Sequence, residues 1–228
     1  MGISKVSPSI LSVKDIKLFL DKLDSLKEKD LSVETIHIDV MDGEFVSGTR
    51  ILHTALMIEL EERGYLTEVH LMVKGEKLES QIDEAVRYNA SKIWIHVELE
   101  DAERYLNIFR NLEKNDVAAK FSMGLAINPE TDIDKLVLLK DKIDSILVMS
   151  VHPGKGGQKL ISKSYDKIKR IRKEVGDSLE IVVDGGINRW NIQKVFKCGA
   201  SKVVVGKYLC KNLGRIKSKL TWIKKHIV

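Results

Sequence analysis

Several residue types that mark special environments are scarce in this chain. Its 2 cysteines, Cys198 and Cys210, cannot build a disulfide framework, and their spacing matches no zinc motif, so a reducing cytoplasmic setting is expected. Aromatic residues make up only 6% of the sequence and form no basic-aromatic stacking platform, so no nucleic-acid partner is expected. No apolar run approaches the length of a membrane span. The opening Met1-Gly2-Ile3-Ser4-Lys5-Val6 lacks the apolar stretch of a signal peptide, and Val6 stands where a myristoylation pattern wants Ser or Thr. No membrane partner is expected either. With 3 prolines and no low-complexity tract, nothing marks a linker or a disordered segment.

The rest is an ordinary folded composition, 43% apolar and 31% charged, and 228 residues suit one domain of barrel or doubly wound type over 1–228. The net charge of +5 is scattered along the chain, as on a solvated surface.

Short β-branched apolar segments recur at Val6–Leu11, Thr35–Val40, Leu66–Val73, Lys92–Val97, Lys120–Ile127, Ser145–Val151, Leu179–Val183 and Lys202–Gly206. Helical patterns lie between them at Lys14–Lys29, Lys77–Tyr88, Ala102–Leu112, Ile133–Lys140, Ser162–Val175 and Trp190–Cys198, with the stretch after Arg50 less clear. Leu209, Leu213, Ile216, Leu220, Ile223 and Ile227 form one amphipathic seam, expected as a closing helix packed on the sheet. An open doubly wound sheet shares this local rhythm. Eight strands alternating with helices point to an α/β fold of the single (β/α)8 TIM-barrel type, in which chemistry sits at the C-terminal ends of strands.

Three of those strand ends carry candidate metal ligands. His37, Asp39 and Met41 alternate with Ile36, Ile38 and Val40 and so share one face of the second predicted strand. His70 and Met72 repeat the device on the third, and the seventh ends in Asp184. Buried unpaired charge is costly, so two imidazoles and two carboxylates converging on one point would suit one divalent metal ion, zinc, iron, manganese or cobalt. The spacing alone is no metal signature, and a single strand histidine is more often a hydrogen-bonded core residue. His96, at the end of the fourth predicted strand in Trp94-Ile95-His96-Val97-Glu98, is assigned to packing or to support of the ligands.

Glycines cluster after the later strands: Gly154, Gly156 and Gly157 with Gln158 after the sixth, Gly185 and Gly186 after the seventh, and Gly206 beside Lys207 after the eighth. Glycine lets backbone N–H groups approach an anion, and the loops after strands seven and eight are the recurrent phosphate corner of such barrels. The run is no P-loop. Met41, Met72 and Met149 near the strand ends would make a soft, water-poor wall.

Taken together, Ser7-Pro8-Ser9-Ile10-Leu11-Ser12, His37-Ile38-Asp39-Val40-Met41-Asp42-Gly43 with Phe45-Val46, Val69-His70-Leu71-Met72-Val73, Gly124 with Asn128-Pro129, Met149-Ser150-Val151 with Pro153-Gly154 and Gly156-Gly157-Gln158, and Val183-Asp184-Gly185-Gly186 resemble the ribulose-phosphate 3-epimerase family nearly end to end. The resemblance implies a metal held by His37, Asp39, His70 and Asp184, with Ser9 near the substrate and Asp39 and Asp184 as the acid/base pair. Met41, Met72 and Met149 would surround the enediolate, and the glycines at 154, 156, 157, 185, 186 and 206 would lie about the phosphate. It implies a phosphorylated ketose substrate, no organic cofactor, a place in the pentose phosphate pathway and a homo-oligomer.

The chain departs from the family pattern at four places. His152 stands for Asn, Lys155 for an aromatic, Lys207 for Ser, and Ser47-Gly48 for Pro-Asn. Three other readings follow: a hexulose-phosphate 3-epimerase acting on allulose 6-phosphate, a lyase of the hexulose-phosphate synthase type, and a non-catalytic sugar-phosphate-binding paralogue. The full set of four ligand residues argues against the last, since a binder has no need of two opposed carboxylates.

Overall fold

The computed structural model describes residues 3–115 and 121–227. Its strands are β1 (Val6–Pro8), β2 (Thr35–Asp42), β3 (Thr49–Arg50), β4 (Leu66–Met72), β5 (Ala90–His96), β6 (Ser122–Ile127), β7 (Ser145–Met149), β8 (Glu180–Asp184) and β9 (Lys202–Val205). All but β3 run parallel in the order β1-β9-β8-β7-β6-β5-β4-β2. The ring closes between β1 and β2 through the parallel bridges Ile3 to Val33 and Ser9 to His37, with the Ile10 N–H donating to the His37 carbonyl at 3.2 Å. The fold is a (β/α)8 barrel.

Helices α1 (Ile16–Asp24), α2 (Thr54–Glu62), α3 (Glu76–Arg87), α4 (Ala102–Asn115), α5 (Asp134–Leu139), α6 (Ser164–Val175), α7 (Ile192–Lys197), α8 (Lys207–Cys210) and α9 (Ile216–Ile227) fill the crossovers. Each expected strand has its counterpart, although Lys120, the first residue assigned to the fifth, lies outside the described residues. Where the boundaries differ, local chemistry explains them. The Asp15 side chain accepts the Leu18 N–H at 2.9 Å and starts α1 later than Lys14. The expected closing helix is broken instead of continuous: Asn212 is extended (φ −143°), a 3-10 turn follows at Leu213–Arg215, and the Lys219 ammonium takes the freed carbonyls of Leu209 and Asn212 at 3.1 and 3.2 Å. Its apolar seam is buried all the same at Leu209, Ile216, Leu220, Ile223 and Ile227.

Strand alternation divides the interior in two. Ile36, Ile38, Val69, Leu71, Ile93, Ile95, Ile181 and Val183 face outward into the main core beneath the helices. Trp94, Ala126, Leu147, Met149, Val182 and Val204 fill the barrel itself. Gly124 has no side chain because a Cβ there would lie 2.3 Å from Trp94 Cδ1 and 2.6 Å from the Ser145 carbonyl oxygen.

The N-terminal end of the barrel is polar, and its buried charges are paired. Glu68, 1% exposed, accepts from Lys202 Nζ at 2.6 Å and from Ser7 Oγ at 2.5 Å, and Lys202 also donates to Thr35 Oγ1 at 2.8 Å. Lys92 pairs with Glu180 and stands 3.8 Å from Glu68. Breaking such a buried pair leaves an uncompensated charge. Glu68→Leu is therefore expected to destabilise the fold by about 3–5 kcal/mol in urea unfolding, and Glu68→Leu with Lys202→Met to recover most of that loss. A single variant with an unshifted midpoint would contradict this account.

Candidate functional site

The alternation that sends Ile36, Ile38 and Val40 outward turns His37, Asp39 and Met41 inward along β2. In-register pairing with β4 sets Asp39 beside His70 and Met41 beside Met72. Asp184 ends β8. The candidate ligand atoms of His37, Asp39, His70 and Asp184 lie within 4.8 Å of one another at the C-terminal mouth of the barrel, a group that could hold a metal ion.

Asp39 is the hub of this group. Its Oδ1 stands 3.1 Å from His70 Nδ1 and 3.4 Å from His37 Nε2, and its Oδ2 accepts from Ser9 Oγ at 3.1 Å. The Leu11 N–H donates to Ser9 Oγ at 3.2 Å and so orients that hydroxyl. On its far side, His70 Nε2 lies 2.8 Å from His96 Nε2, and His96 Nδ1 lies 2.8 Å from Glu98 Oε2. Glu98 Oε1 accepts the Asn128 N–H at 2.8 Å. Of these, Glu98 escaped the sequence reading. Its signal was its place two residues after His96, the same device as His37 and Asp39 on β2.

The electrostatics are those of a crowded, buried cluster, in which His37 is raised against its burial by Asp39 and Asp184. Burial pushes the Asp184 carboxyl up to about 7, with the nearby Asp39 charge adding to the effect. Burial would raise Asp39 too, but His37 and His70 outweigh it and hold Asp39 well below the usual carboxylate range. Burial also pulls His70 down to about 4 despite its contact with Asp39. Glu98 is held down to about 2, since His96, Thr131 and the Asn128 N–H override its burial.

His37 tests whether these residues fit a metal. Both of its ring nitrogens are buried without a hydrogen-bond partner among the described residues, and its contact with Asp39 lacks hydrogen-bond alignment. Leaving such a group unsatisfied is costly, and a cation accepting the one ring lone pair would satisfy one of the two nitrogens. Two imidazoles and two carboxylates at this separation fit a divalent transition ion.

Above the cluster opens a cavity of about 580 Å³, lined among others by Ser9, Asp39, Met72, Met149, Asp184 and Lys207. Gly154, Gly156, Gly157, Gln158, Gly185, Gly186 and Gly206 line it as well. Met41 is buried outside the lining. Gly185, at φ 117°, packs so closely that a Cβ would lie 2.5 Å from Val151 Cγ2. The Lys207 side chain crosses Gly157, where a Cβ would meet its Cδ at 2.3 Å and its Nζ at 2.8 Å. Gln158 spends its amide nitrogen on its own loop, donating to the carbonyls of His152 at 2.6 Å and Lys155 at 2.8 Å. Lys155 is exposed at the rim, and His152 is exposed 3.5 Å from Glu130. Ser47 and Gly48 belong to the β2–β3 hairpin, which the sequence reading missed. Asp42 shapes that hairpin by accepting the N–H groups of Glu44, Phe45 and Lys74.

Residues 5–210 match the model of the ribulose-phosphate 3 epimerase family. The chain belongs to that family. It is 33% identical over 207 residues to the ribulose-phosphate 3-epimerase of Escherichia coli K12, covering 88% of this chain and 86% of that protein. It is 30% identical over 215 residues to the enzyme of the same name from Helicobacter pylori, covering 92% and 93%. The chloroplastic ribulose-5-phosphate-3-epimerase of Arabidopsis thaliana is 32% identical, covering 88% of this chain and 69% of that protein. Among solved structures, tryptophan synthase from M. tuberculosis matches with TM-score 0.67 at 14% identity, covering 99% of this chain and 94% of that one. Orotidine 5'-monophosphate decarboxylase from Sulfolobus solfataricus matches with TM-score 0.60 at 12% identity, covering 99% and 100%. At such identities these structures speak for the barrel alone. They leave the chemistry to the family and to the site.

For this member of the ribulose-phosphate 3 epimerase family, elemental analysis of metal-reconstituted protein is expected to find one divalent ion per chain. His70→Ala should lower occupancy sharply while the fold remains. Absence of stoichiometric metal from both native and reconstituted protein would overturn the assignment.

Proposed function

We propose that the chain catalyses metal-dependent 3-epimerisation of a phosphorylated ketose, D-ribulose 5-phosphate to D-xylulose 5-phosphate, as a step of the pentose phosphate pathway. The observation that carries this reading is the pair of buried carboxyls, Asp39 and Asp184, in one cavity beside two histidines.

Epimerisation at the carbon beside a ketone removes a proton from one face and returns one to the other, so it needs a base and an acid on opposite sides of a planar enediolate. One of Asp39 and Asp184 takes the proton and the other, carrying a proton, delivers it to the opposite face; in the reverse direction the roles exchange. Asp39 Oδ2, steadied by the Ser9 hydroxyl, is the oxygen turned away from the imidazoles and available to substrate. A divalent ion bound by His37, Asp39, His70 and Asp184 would supply Lewis acidity to the ketone and neighbouring hydroxyl oxygens. Met72 and Met149 keep water from the reacting carbon. The backbone around Gly157, Gly186 and Gly206 offers N–H groups to the phosphate.

Conversion of ribulose 5-phosphate, measured by coupled formation of xylulose 5-phosphate and compared with allulose 6-phosphate, tests the assignment. Preference for the six-carbon sugar would replace the substrate while keeping the chemistry, and turnover of neither would overturn the reading. Asp184→Asn is expected to abolish epimerisation while Asp39 still exchanges the substrate's α-proton with solvent, provided metal content is unchanged. Near-normal epimerisation by that variant would contradict the two-carboxylate scheme.

Lys207 gives the phosphate corner an ammonium where a small hydroxyl residue is usual, and its path across Gly157 supports an inward role. A charge-assisted hydrogen bond there is worth about 1.5–3 kcal/mol. Lys207→Ala should then raise KM roughly tenfold or more. An unchanged KM at low salt would leave Lys207 a surface residue.

A further inference from the structure

We propose that the cavity continues past its glycine corner into a second anion subsite, formed by Lys211 and Arg215, which takes the outer phosphoryl group of a diphosphate-bearing ligand. The inference rests on the reading of the backbone around Gly157, Gly186 and Gly206 as the place of the first phosphate.

The sequence loads this part of the chain with one sign of charge. Lysines and arginines occur throughout, but no Asp or Glu follows Asp184, whereas eleven Lys and Arg do. Among them Lys207, Lys211, Arg215 and Lys219 recur at every fourth position. Where the backbone is helical, that spacing sets neighbouring side chains about 5–6 Å apart, and like charges so placed repel. Lys219 has a structural task, donating to the carbonyls of Leu209 and Asn212 at the break before α9. The side chains of Lys207, Lys211 and Arg215 are exposed and make no hydrogen bond or ion pair among the described residues. Their mutual repulsion is therefore left for an anion to relieve.

The shape of the cavity says where that anion sits. Its lining runs from Asp39 and Asp184 at the floor, past Gly157, Gly186 and Gly206, to Lys211 and Arg215. Lys207 lies between corner and annex, its Nζ 2.8 Å from where a Gly157 Cβ would stand. Lys211 is one helical turn further on, and the 3-10 turn after Asn212 keeps Arg215 on the same lining. Lys207 and Lys211 also border an adjoining hollow of about 490 Å³, so open space lies on both sides of them. The carboxylate of that hollow, Asp15, is occupied in capping α1 through the Leu18 N–H at 2.9 Å. A second phosphate at the far end of a sugar would lie at the floor, against two carboxyls. One linked outward from the first phosphate meets an ammonium and a guanidinium instead, groups suited to phosphoryl oxygens.

Isothermal titration of the full chain with inorganic phosphate and with inorganic pyrophosphate, at neutral pH and without added metal, tests the annex. Pyrophosphate is expected to bind the wild type roughly tenfold or more tightly than phosphate. Lys211→Ala combined with Arg215→Ala should remove that preference. Lys217→Ala combined with Lys225→Ala takes the same charge from exposed positions of α9 outside the cavity lining and should keep it. Phosphate affinity should differ little between the two double variants. Equal affinities for the two anions in the wild type would overturn the annex. So would an equal loss of pyrophosphate binding in both double variants, which would mark the effect as the general field of a basic surface. Failure of phosphate itself to bind the wild type would instead overturn the glycine corner, and with it the phosphorylated substrate of the proposed function.

Discussion

Charge turned toward the axis of a closed barrel cannot reach bulk water without passing its own strands, so it must be compensated where it stands. The two ends of this barrel meet that requirement differently. At the N-terminal end, Glu68 and Glu180 face Lys92 and Lys202, and the ions neutralise one another through direct contacts. At the C-terminal end, Asp39 and Asp184 meet two imidazoles, and among the described residues neither carboxyl has a lysine or arginine ion pair. One end is a finished structural device. The other brings two carboxyls and two imidazoles together, a group that could hold a cation.

Period-two alternation made most of this visible in the sequence. A run such as Ile36-His37-Ile38-Asp39-Val40-Met41 has one meaning in a strand whose outer face must meet helices, and the same logic placed His70 and Asp184. Closure of the ring was not visible, because it depends on two isolated bridges, Ile3 to Val33 and Ser9 to His37, that leave no periodic trace. The two-residue strand β3 was equally silent, since its pairing depends on the turn that Asp42 organises. The broken closing helix kept its apolar seam, so periodicity ran straight through a backbone break that only the conformation of Asn212 reveals. His96 was noticed but not placed, because the contact that gives it meaning crosses from β5 to β4.

The same geometry links chemistry to recognition. The buried cluster forms the floor of a cavity whose upper wall is glycine-rich backbone, so a ligand reaching both would meet carboxyls at one end and glycine backbone at the other. Family membership narrows that description to sugar phosphates handled by its relatives. At the rim, Lys155 and Lys207 add positive charge near the glycines. The burial of Asp39 and Asp184, by contrast, is fixed by the barrel.

The central claim is that two carboxyls on opposite faces exchange protons with one carbon. It is tested most directly by incubating metal-loaded protein with ribulose 5-phosphate in D₂O and following the C3 position by NMR. The account predicts loss of the C3 proton signal together with appearance of xylulose 5-phosphate bearing deuterium at C3, because the returning hydron comes from a group other than the one that removed the proton. Product that retains the original C3 proton, or a substrate whose C3 signal never changes, would contradict it.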